Sequence, residues 1–413
     1  MIKKIINERI SCGLDIGSQK IKAAILKIQD HKEVELLGAY ENKAQGFKGL
    51  SVTDLNELSE SIYSIINELS KRSGIKIKEV ELGIGAELVD AKETQAVIPL
   101  ADRGNKIITP ADVKKVNHQA KLLGMKMDED ILHELPQCYL VDDVNTALNP
   151  IGLYGRKIGV QSILIVSNIN RTKNIVHAVN HAGFDVSHLS LSSYRASDIL
   201  FSDQDRSEGS VLVDIGSKST TILVFKDGVL KYFDKVLLGG DNFTTAIASQ
   251  LNLTFDLAEE IKKSYAGALN SDAQLKEEIL VKKDNQYMPI KREIIYQSIE
   301  SEILHLITGI RTSIKSSGLS DRINRGITMI GGGALLTGLI ERVGQALDYS
   351  VKLGKLKLSF QKNLCNVAIF SSVLGLANYS ISKNSKWQKV ALDQMSWRRL
   401  IVNRIKELYE EYF

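Results

Sequence analysis

Short apolar runs and amphipathic helical segments alternate along most of the chain. Residues 12–28 predict a strand, a tight glycine turn and a second strand. Residues 54–74 then carry leucine and isoleucine at helical spacing and end on Gly74, so they predict a helix. A further short strand is predicted within residues 80–88. The mixture of strand and helix signals predicts an α/β or α+β protein.

Three later segments have equally clear signals. Residues 109–124 open with a threonine N-cap, a proline at the first helical position and Asp112 in the first turn, which together start a helix. Residues 160–168 and 209–216 are rich in β-branched side chains, typical of buried strands. Because no long linker separates these segments, independent domains joined by flexible chain are not expected.

The composition is that of a globular protein. The 413 residues are 44% hydrophobic and 25% charged, which allows two to four domains on a prior of about 100–200 residues each. The net charge of +4 comes without a block of lysine or arginine, so no nucleic-acid partner is expected.

The cysteines and the apolar runs bear on the cellular compartment. The three cysteines are scattered, which fits a reducing cytoplasm and forms no metal motif. No signal peptide is expected, and no apolar run approaches the roughly 18 residues of a transmembrane helix. Any membrane contact should therefore be made along the membrane surface.

One short sequence, Asp-Ile-Gly-Ser, occurs twice. It lies at residues 15–18 and again at 214–217, each time between two apolar strands. The repeated strand, turn and strand suggest two similar lobes, each offering a hairpin turn to something between them.

These turns have the chemistry of a phosphate site. Glycine lets the backbone approach a ligand closely, and consecutive N–H groups form an anion-binding concavity. The serine adds a donor, and the aspartate can hold Mg²⁺ or its waters. Two ordinary hairpins with Asp-Gly turns are the alternative interpretation.

A third glycine-rich element favours the phosphate interpretation. Gly331, Gly332 and Gly333 follow an apolar strand and precede a helix predicted to start near Ala334. Glycines at such a junction permit close approach of a flat ring or a phosphate. The three elements follow one another in a fixed order: a strand-turn-strand unit, its second copy, and a strand-glycine-helix unit. This ordered set is a much stronger signal than any one of the three elements alone.

This ordered set resembles the actin/Hsp70/sugar-kinase ATPase superfamily and, within it, the family of the bacterial cell-division protein FtsA. The segments ILHELPQCYLVDD, NPIGLYGRKI, AEEIKKSYAGAL and SWRRLIVNRIKEL carry the closer resemblance, which covers nearly the whole chain. It implies an α/β, two-lobed actin-like ATPase fold with an inserted FtsA-type 1C (SHS2-like) subdomain and a C-terminal amphipathic helix.

The resemblance also implies domain limits. They are lobe 1 (1A) at 1–84 and 161–205, the 1C subdomain at 85–160, lobe 2 (2A) at 206–240, subdomain 2B at 241–310, the rest of 2A with the return to lobe 1 at 311–380, a linker at 381–396, and the membrane-targeting helix at 397–413.

ATP and Mg²⁺ are the cofactors that the resemblance implies, with Asp15 and Asp214 holding Mg²⁺ through water. The expected nucleotide-binding residues are Asp15, Gly17, Ser18, Gln19 and Lys20 in the first loop, Asp214, Gly216, Ser217, Lys218 and Ser219 in the second, Glu259, Lys262 and Lys263 on a helix, and Gly331, Gly332, Gly333 and Ala334 in an adenosine loop. A solvated helix face is the alternative for Glu259 and the two lysines.

Two departures from the family pattern bear on hydrolysis. Residues 217–221 replace a Gly-Gly-Thr run with Ser-Lys-Ser-Thr-Thr, and residues 191–197 lack an acid that related proteins place near the nucleotide. Hydrolysis needs a group that orients the attacking water, and no such residue can be named from the sequence. We therefore expect ATP binding with weak or absent ATPase activity and leave the catalytic residues unassigned.

The last seventeen residues form an amphipathic pattern. On a helix, Trp397, Ile401, Ile405 and Leu408 share one apolar stripe. This favours a helix lying in an anionic membrane surface, with docking on the protein's own core as the alternative. The residues expected at the membrane are Trp397, Arg398, Arg399, Leu400, Ile401, Ile405 and Leu408.

The expected function follows from the resemblance. It is an actin-like cell-division protein that polymerises head to tail through 1C and lobe 2 on the cytoplasmic membrane face at the division site. There it would tether FtsZ filaments, whose C-terminal peptide would bind 2B. A PilM-like scaffold of a pilus machine is the alternative, as is a sugar-kinase-like enzyme, whose catalytic aspartate no pattern reveals.

Overall fold

The structure is a computed structural model that describes residues 9–28, 34–101, 104–143, 145–269, 275–283, 286–357 and 365–382. The amphipathic segment at 397–413 and its membrane residues lie outside the described residues. In the part of the chain that the structure describes, no helix is long and apolar enough to cross a membrane.

Strands and helices alternate as the sequence predicts. In chain order the strands are β1 (Arg9–Ile16), β2 (Lys20–Ile28), β3 (Val34–Lys43), β4 (Phe47–Lys48), β5 (Ser51–Val52), β6 (Glu79–Ile84), β7 (Val89–Pro99), β8 (Lys106–Ile107), β9 (Glu129–Val141), β10 (Asn145–Ala147), β11 (Tyr154–Gly155), β12 (Lys157–Asn168), β13 (Asp185–Leu191), β14 (Ser210–Ile215), β15 (Thr220–Lys226), β16 (Val229–Val236), β17 (Glu278–Lys283), β18 (Gln286–Lys291), β19 (Ile327–Ile330) and β20 (Val351–Leu353). The helices are α1 (Leu55–Ser73), α2 (Pro110–Gly124), α3 (Ile169–His181), α4 (Ser192–Leu200), α5 (Asp203–Glu208), α6 (Gly240–Leu251), α7 (Phe255–Tyr265), α8 (Arg292–Ser316), α9 (Leu339–Leu347) and α10 (367–382).

Two five-stranded sheets form the centres of two lobes. The first has the order β13-β6-β1-β2-β3 and the second the order β20-β19-β14-β15-β16. In each sheet an antiparallel hairpin lies beside parallel strands, β1 with β2 and β6 in one, β14 with β15 and β19 in the other. The sheets therefore share one topology, which confirms the two similar lobes predicted from the repeat.

Helix α1 illustrates how local signals place an element on the first sheet. The Asp54 side chain accepts hydrogen bonds from two N–H groups of the first turn, and Gly74 ends the helix with φ of 69°. The buried face of α1 includes Leu58, Ile62 and Ile66. Each such side chain contributes about 1.5–3 kcal/mol when fully buried, so this stripe fixes the helix against the sheet.

A separate four-stranded sheet of order β10-β9-β12-β7, with α2 packed on it, is inserted after β6. It has its own apolar core, which includes Val116, Tyr139 and Val160. Thr109 and Asp112 cap α2 reciprocally, and the hydrogen bonds that the Asp112 carboxylate accepts, first from Thr109, lower its pKa to about 2. The insertion is thus a self-contained unit with one long strand, β12, leading back into the first lobe.

The chain crosses back to the first lobe after β20. Helix α10 packs so closely on β1 that a Cβ on Gly13 would lie 2.3 Å from the carbonyl oxygen of Val373. This contact brings α10 to the carboxyl end of β1, where the first repeat lies.

Candidate functional site

A cavity of about 590 Å³ lies between the two lobes. Its walls include the first hairpin turn, the second hairpin turn, the glycine loop and the start of α6. Among the predicted site residues, those that line it are Asp15, Gly17, Ser18, Gln19, Lys20, Asp214, Gly216, Ser217, Lys218, Ser219, Glu259, Lys262, Lys263, Gly331, Gly332 and Gly333. Ala334 does not line it, because its side chain is buried in the core of the second lobe.

The two hairpin turns have matching geometry. The Gly17 N–H donates to the carbonyl oxygen of Lys20 at 3.0 Å, and the Gly216 N–H donates to that of Ser219 at 2.9 Å. Glycine suits both positions, since a Cβ would lie 3.0 Å and 3.1 Å from the same carbonyl oxygens. The two lobes therefore present the same turn to the cavity from opposite sides.

Asp15 is held by two serines that the sequence analysis missed. Ser192 donates to Oδ1 at 2.6 Å and Ser372 donates to Oδ2 at 2.7 Å. Ser192 is the first residue of α4, and Ser372 lies in α10. The carboxylate is fixed in position with its remaining lone pairs available at the cavity.

Asp214 occupies the equivalent position in the second lobe. Burial raises its pKa to about 6; the Lys22 charge opposes this rise, and the Asp15 and Glu87 charges add to it. Lys22 itself donates to the carbonyl oxygen of Ile369 at 2.9 Å.

The donor set fits hydrated Mg²⁺. Asp15 and Asp214 line one cavity, and carboxylate oxygens are the ligands that Mg²⁺ prefers. No three His, Cys, Asp or Glu side chains among the described residues are placed to hold a metal together. The arrangement suits an ion that keeps its waters and shares phosphate oxygens, rather than an all-protein cage.

The glycine loop packs against the second hairpin with no room for side chains at two positions. A Cβ on Gly331, which has φ of 86°, would lie 2.3 Å from the Ile215 carbonyl oxygen. A Cβ on Gly333 would lie 2.3 Å from the Ile215 side chain, whereas one on Gly332 would meet nothing within 4 Å. Gly332 is therefore the position at which the backbone is open to a ligand.

The helix predicted to start near Ala334 begins later. Residues Gly332–Leu335 form a 3₁₀ turn, and the α-helix starts at Leu339 after Gly338, which has φ of 75°. The prediction was wrong because the glycine-rich backbone adopts a tight turn, and the left-handed backbone conformation of Gly338 separates this turn from α9.

Helix α7 contributes three charged side chains to the cavity, Glu259, Lys262 and Lys263. Lys262 lies 2.6 Å from Glu259 Oε2 and donates to Thr244 Oγ1 at 2.8 Å, while Lys263 lies 3.0 Å from Glu259 Oε1. Burial acts to raise the pKa of Glu259, but hydrogen bonds from Lys262 and Thr244 outweigh it, and the pKa is lowered. Lys262 and Glu259 are mostly buried, so this face of α7 is not simply solvated.

Asp241 at the start of α6 is a further acid that sequence reasoning missed. Burial raises its pKa to about 6, against the opposing charges of Lys262 and Lys218 and a hydrogen bond from Gln19. Because Gln19 belongs to the first hairpin, this hydrogen bond crosses between the lobes.

Glu87 also crosses the cavity. Ser18 donates to its Oε1, and Ser219 donates to its Oε2 at 2.9 Å. Glu87 follows β6, Ser192 follows β13 and Gly331 follows β19, so each stands at the carboxyl end of a strand parallel to β1 or β14. In open α/β sheets ligands bind outside the carboxyl ends of the strands, which is the signal that could have found Glu87 and Ser192.

Comparison with known proteins identifies the family. A model described as "Cell division protein FtsA" matches residues 211–375, and one described as "SHS2 domain inserted in FTSA" matches residues 87–166. Together they match more than half of the chain, including the second hairpin, the glycine loop and the inserted sheet.

The chain belongs to the FtsA family. The FtsA of Pseudomonas aeruginosa is 26% identical over 388 residues, which cover 93% of this chain and 92% of that protein. The FtsA of Borreliella burgdorferi is 26% identical over 394 residues, covering 94% of this chain and 95% of that protein. The inserted sheet is accordingly the SHS2-type 1C subdomain of an FtsA-family cell-division protein.

Solved structures agree with the actin-like fold expected for FtsA. The PilM–PilN type IV pilus biogenesis complex matches with a TM-score of 0.65 at 17% identity, covering 89% of this chain and 98% of that one. MreB5 of Spiroplasma citri bound to ADP matches with a TM-score of 0.53 at 12% identity, covering 92% and 98%. The predicted two-lobed actin-like fold with an inserted SHS2 unit is confirmed.

Proposed function

We propose that this FtsA-family protein binds Mg²⁺·ATP between its lobes, polymerises on the cytoplasmic face of the membrane at the division site and tethers FtsZ filaments there. The matched pair of hairpin turns facing one cavity carries the proposal. A turn of this kind offers backbone N–H groups and a hydroxyl to an anion, and here two of them converge from opposite sides. A triphosphate is an anion long enough to use both.

Each wall of the cavity has a proposed part in binding. The first turn, with Ser18 and Lys20, and the second, with Ser217 and Lys218, would bind phosphate oxygens. Asp15 and Asp214 would hold Mg²⁺ through its waters, and the ion would neutralise charge on the phosphates. Gly332 would lie against the adenosine, with Glu259 and Lys262 near the ribose and base.

The fold neighbours support a nucleotide as the ligand. The structures of MreB5 of Spiroplasma citri are described as bound to ADP and to AMPPNP, with TM-scores of 0.53 and 0.51 to this chain. We extend nucleotide binding to this chain because its own cavity gathers the predicted phosphate-binding residues. ATPase activity is proposed to be weak, since residues 191–197, where related proteins place an acid near the nucleotide, contain none.

Self-association is proposed to use the 1C subdomain and lobe 2. The 1C subdomain exposes several large apolar side chains, among them Leu123, Met127 and Tyr154. Exposed apolar groups of this size are common at protein interfaces. Sedimentation with lipid and ATP tests this part, and a strictly monomeric protein under those conditions contradicts it.

The proposal for nucleotide binding is tested by calorimetric titration of the purified protein with ATP in Mg²⁺. Asp15→Ala should weaken binding about tenfold or more, because it removes one of the two carboxylates proposed to hold the Mg²⁺ that neutralises the phosphates. Asp185→Ala, at the exposed first position of β13, is the matched control and should bind as the native protein does. Absence of ATP binding at millimolar concentration in the native protein contradicts the proposal.

Residues 397–413 are the proposed membrane tether. The proposed protein partner at the division site is the C-terminal peptide of FtsZ, which would bind subdomain 2B. Burial of Trp397, Ile401, Ile405 and Leu408 in a membrane surface would supply about 1.5–3 kcal/mol each before the cost of ordering. Single copies should bind weakly, and polymers should bind with higher avidity.

Truncation after Met395 should abolish flotation with anionic liposomes, and Ile401→Glu should act in the same way. ATP binding should be retained in both variants, because the cavity-lining residues that the structure describes all precede residue 383. If truncation leaves flotation intact and instead lowers the unfolding temperature, the segment belongs to the core, and the tether is contradicted.

A further inference from the structure

The Glu87 carboxylate joins the two proposed phosphate loops directly. Its two oxygens accept hydrogen bonds from different lobes, Oε1 from Ser18 of the first hairpin and Oε2 from Ser219 of the second. Hydrogen bonds to an ionised acceptor are about twice as strong as neutral ones. Glu87 therefore holds the loops together at the place where both face the cavity.

A phosphate group bound by both loops would need the same hydroxyls. A serine hydroxyl has one proton to donate, so it cannot donate fully to a carboxylate and to a phosphate oxygen at the same time. Asp214, the aspartate of the second hairpin, lines the same cavity as Glu87. A second anion at this point would compete with Glu87 for donors and repel it.

The Glu87 backbone is fixed more firmly than its side chain. Its neighbours in the chain are anchored, since Ser167 donates to the Leu88 carbonyl oxygen and Lys235 donates to that of Val89, both at 2.6 Å. The side chain has three torsions and is held at its end by the two serines. Glu87 lies in a 3₁₀ turn formed by Ala86–Leu88. Displacement by an anion would swing the carboxylate without unfolding this turn, at the cost of two charge-assisted hydrogen bonds.

The phosphate chain of a bound nucleotide would run from the base end of the cavity toward Glu87. The proposed base end of the cavity is formed by Gly332, Gly333 and helix α7, and the phosphates would extend from there to the hairpin turns. The terminal phosphate lies farthest from the base, so a triphosphate reaches farther toward Ser18 and Ser219 than a diphosphate does.

We propose that Glu87 is a specificity-determining residue that sets the preference of the cavity between ATP and ADP. This inference rests on the proposed nucleotide binding. The terminal phosphate of ATP has to displace the carboxylate from the two serines, whereas ADP leaves more of these contacts in place. Glu87 thus lowers the affinity for ATP relative to ADP.

Glu87→Gln tests the inference, because glutamine keeps the length of the side chain and removes its charge. Calorimetric titration of the full chain with ADP, ATP and AMPPNP in Mg²⁺ should show affinity for ATP and AMPPNP rising about tenfold, with ADP changing less than about twofold. Glu93→Gln, on an exposed position of β7, removes the same charge outside the cavity and should leave all three affinities unchanged.

A second variant tests the competition for the hydroxyl itself. In a Ser219→Ala background the gain from Glu87→Gln should shrink, because one of the contested donors is gone. An unchanged gain would overturn the inference, as would equal changes for ADP and ATP, or weaker ATP binding in Glu87→Gln. Far-UV circular dichroism and the unfolding midpoint identify any variant that fails to fold, and Glu87→Ala then replaces it.

The titrations also separate this inference from the proposed function. If the native protein binds neither ADP nor ATP, both fail together. If it binds both nucleotides, and Glu87→Gln leaves the ratio of their affinities as it was, the role of Glu87 is refuted and nucleotide binding stands.

Discussion

At the scale of single residues, acids gather in the cavity. Asp15, Asp214, Asp241 and Glu87 all line it, and burial raises the pKa values of Asp214 and Asp241 to about 6. Ionisation of a buried acid is disfavoured unless a cation or a donor compensates. The site is thus suited to a ligand that brings its own cation.

Asp241 gives a prediction about stability and pH. Its pKa is raised in the folded protein to about 6, above the ordinary value of 3.8, so the folded state binds the proton more tightly than the unfolded state does. The resulting stabilisation is complete below about pH 4 and is lost as the pH rises through about 6.

Asp241→Asn removes this dependence. The variant should unfold at a higher temperature than the native protein at pH 7.5, and the difference should shrink or vanish near pH 4.5. Thermal unfolding followed by circular dichroism at the two pH values measures it, with Asp185→Asn on β13 as a surface control. A variant that is less stable than the native protein at pH 7.5 contradicts the raised pKa of Asp241.

At the scale of elements, two positions of the glycine loop have different roles. Gly331 should matter for stability, and Gly332 should matter for nucleotide binding. Gly331 has a positive φ and contacts the Ile215 backbone, whereas Gly332 has open space where a side chain would point. Gly331→Ala should destabilise the protein by about 1–3 kcal/mol, through strain and the clash with the second hairpin. Gly332→Ala should change stability by less than about 0.5 kcal/mol.

Nucleotide affinity should respond differently to the same two changes. A methyl group on Gly332 would project into the cavity, so Gly332→Ala should weaken ATP binding in a fully folded protein. Urea unfolding and ATP titration of both variants provide the measurement. Unchanged ATP binding in Gly332→Ala would show that the base does not lie against this loop.

Local signals made some elements and residues predictable from the sequence. Residues that reach the site only through long-range contacts could not be predicted. The caps of α1 and α2 stand within a few residues of the helices they start, and both helices were placed correctly. Asp15 and Asp214 were found because their turns repeat. Ser192, Ser372 and Glu87 come to the cavity from separate elements far apart in the sequence, so only the assembled fold brings them together.

At the scale of the whole molecule, the lobes and the 1C subdomain meet through both apolar and polar contacts. Phe225 of lobe 2 packs against Phe201 of lobe 1, with ring centroids 5.4 Å apart, in a core that both lobes share. Lys235 of lobe 2 lies 2.8 Å from Asp90 at the start of 1C, and Gln137 of 1C donates to the Leu230 carbonyl oxygen of lobe 2 at 2.7 Å. Across the mouth of the cleft, Lys43 and Asp256 are 3.8 Å apart and largely exposed, which makes their attraction weak. Relative motion of the lobes is therefore expected at the mouth of the cleft.

A ligand held by both lobes should restrict that motion. The central claim is that one nucleotide is bound by both hairpin turns at once, and amide hydrogen exchange with and without Mg²⁺·ATP tests it most directly. We predict slower exchange in residues 15–20 and in residues 214–219 together, with Asp15→Ala losing the protection at both turns. Protection of one turn alone, or of neither at saturating ATP, would contradict the two-lobed site.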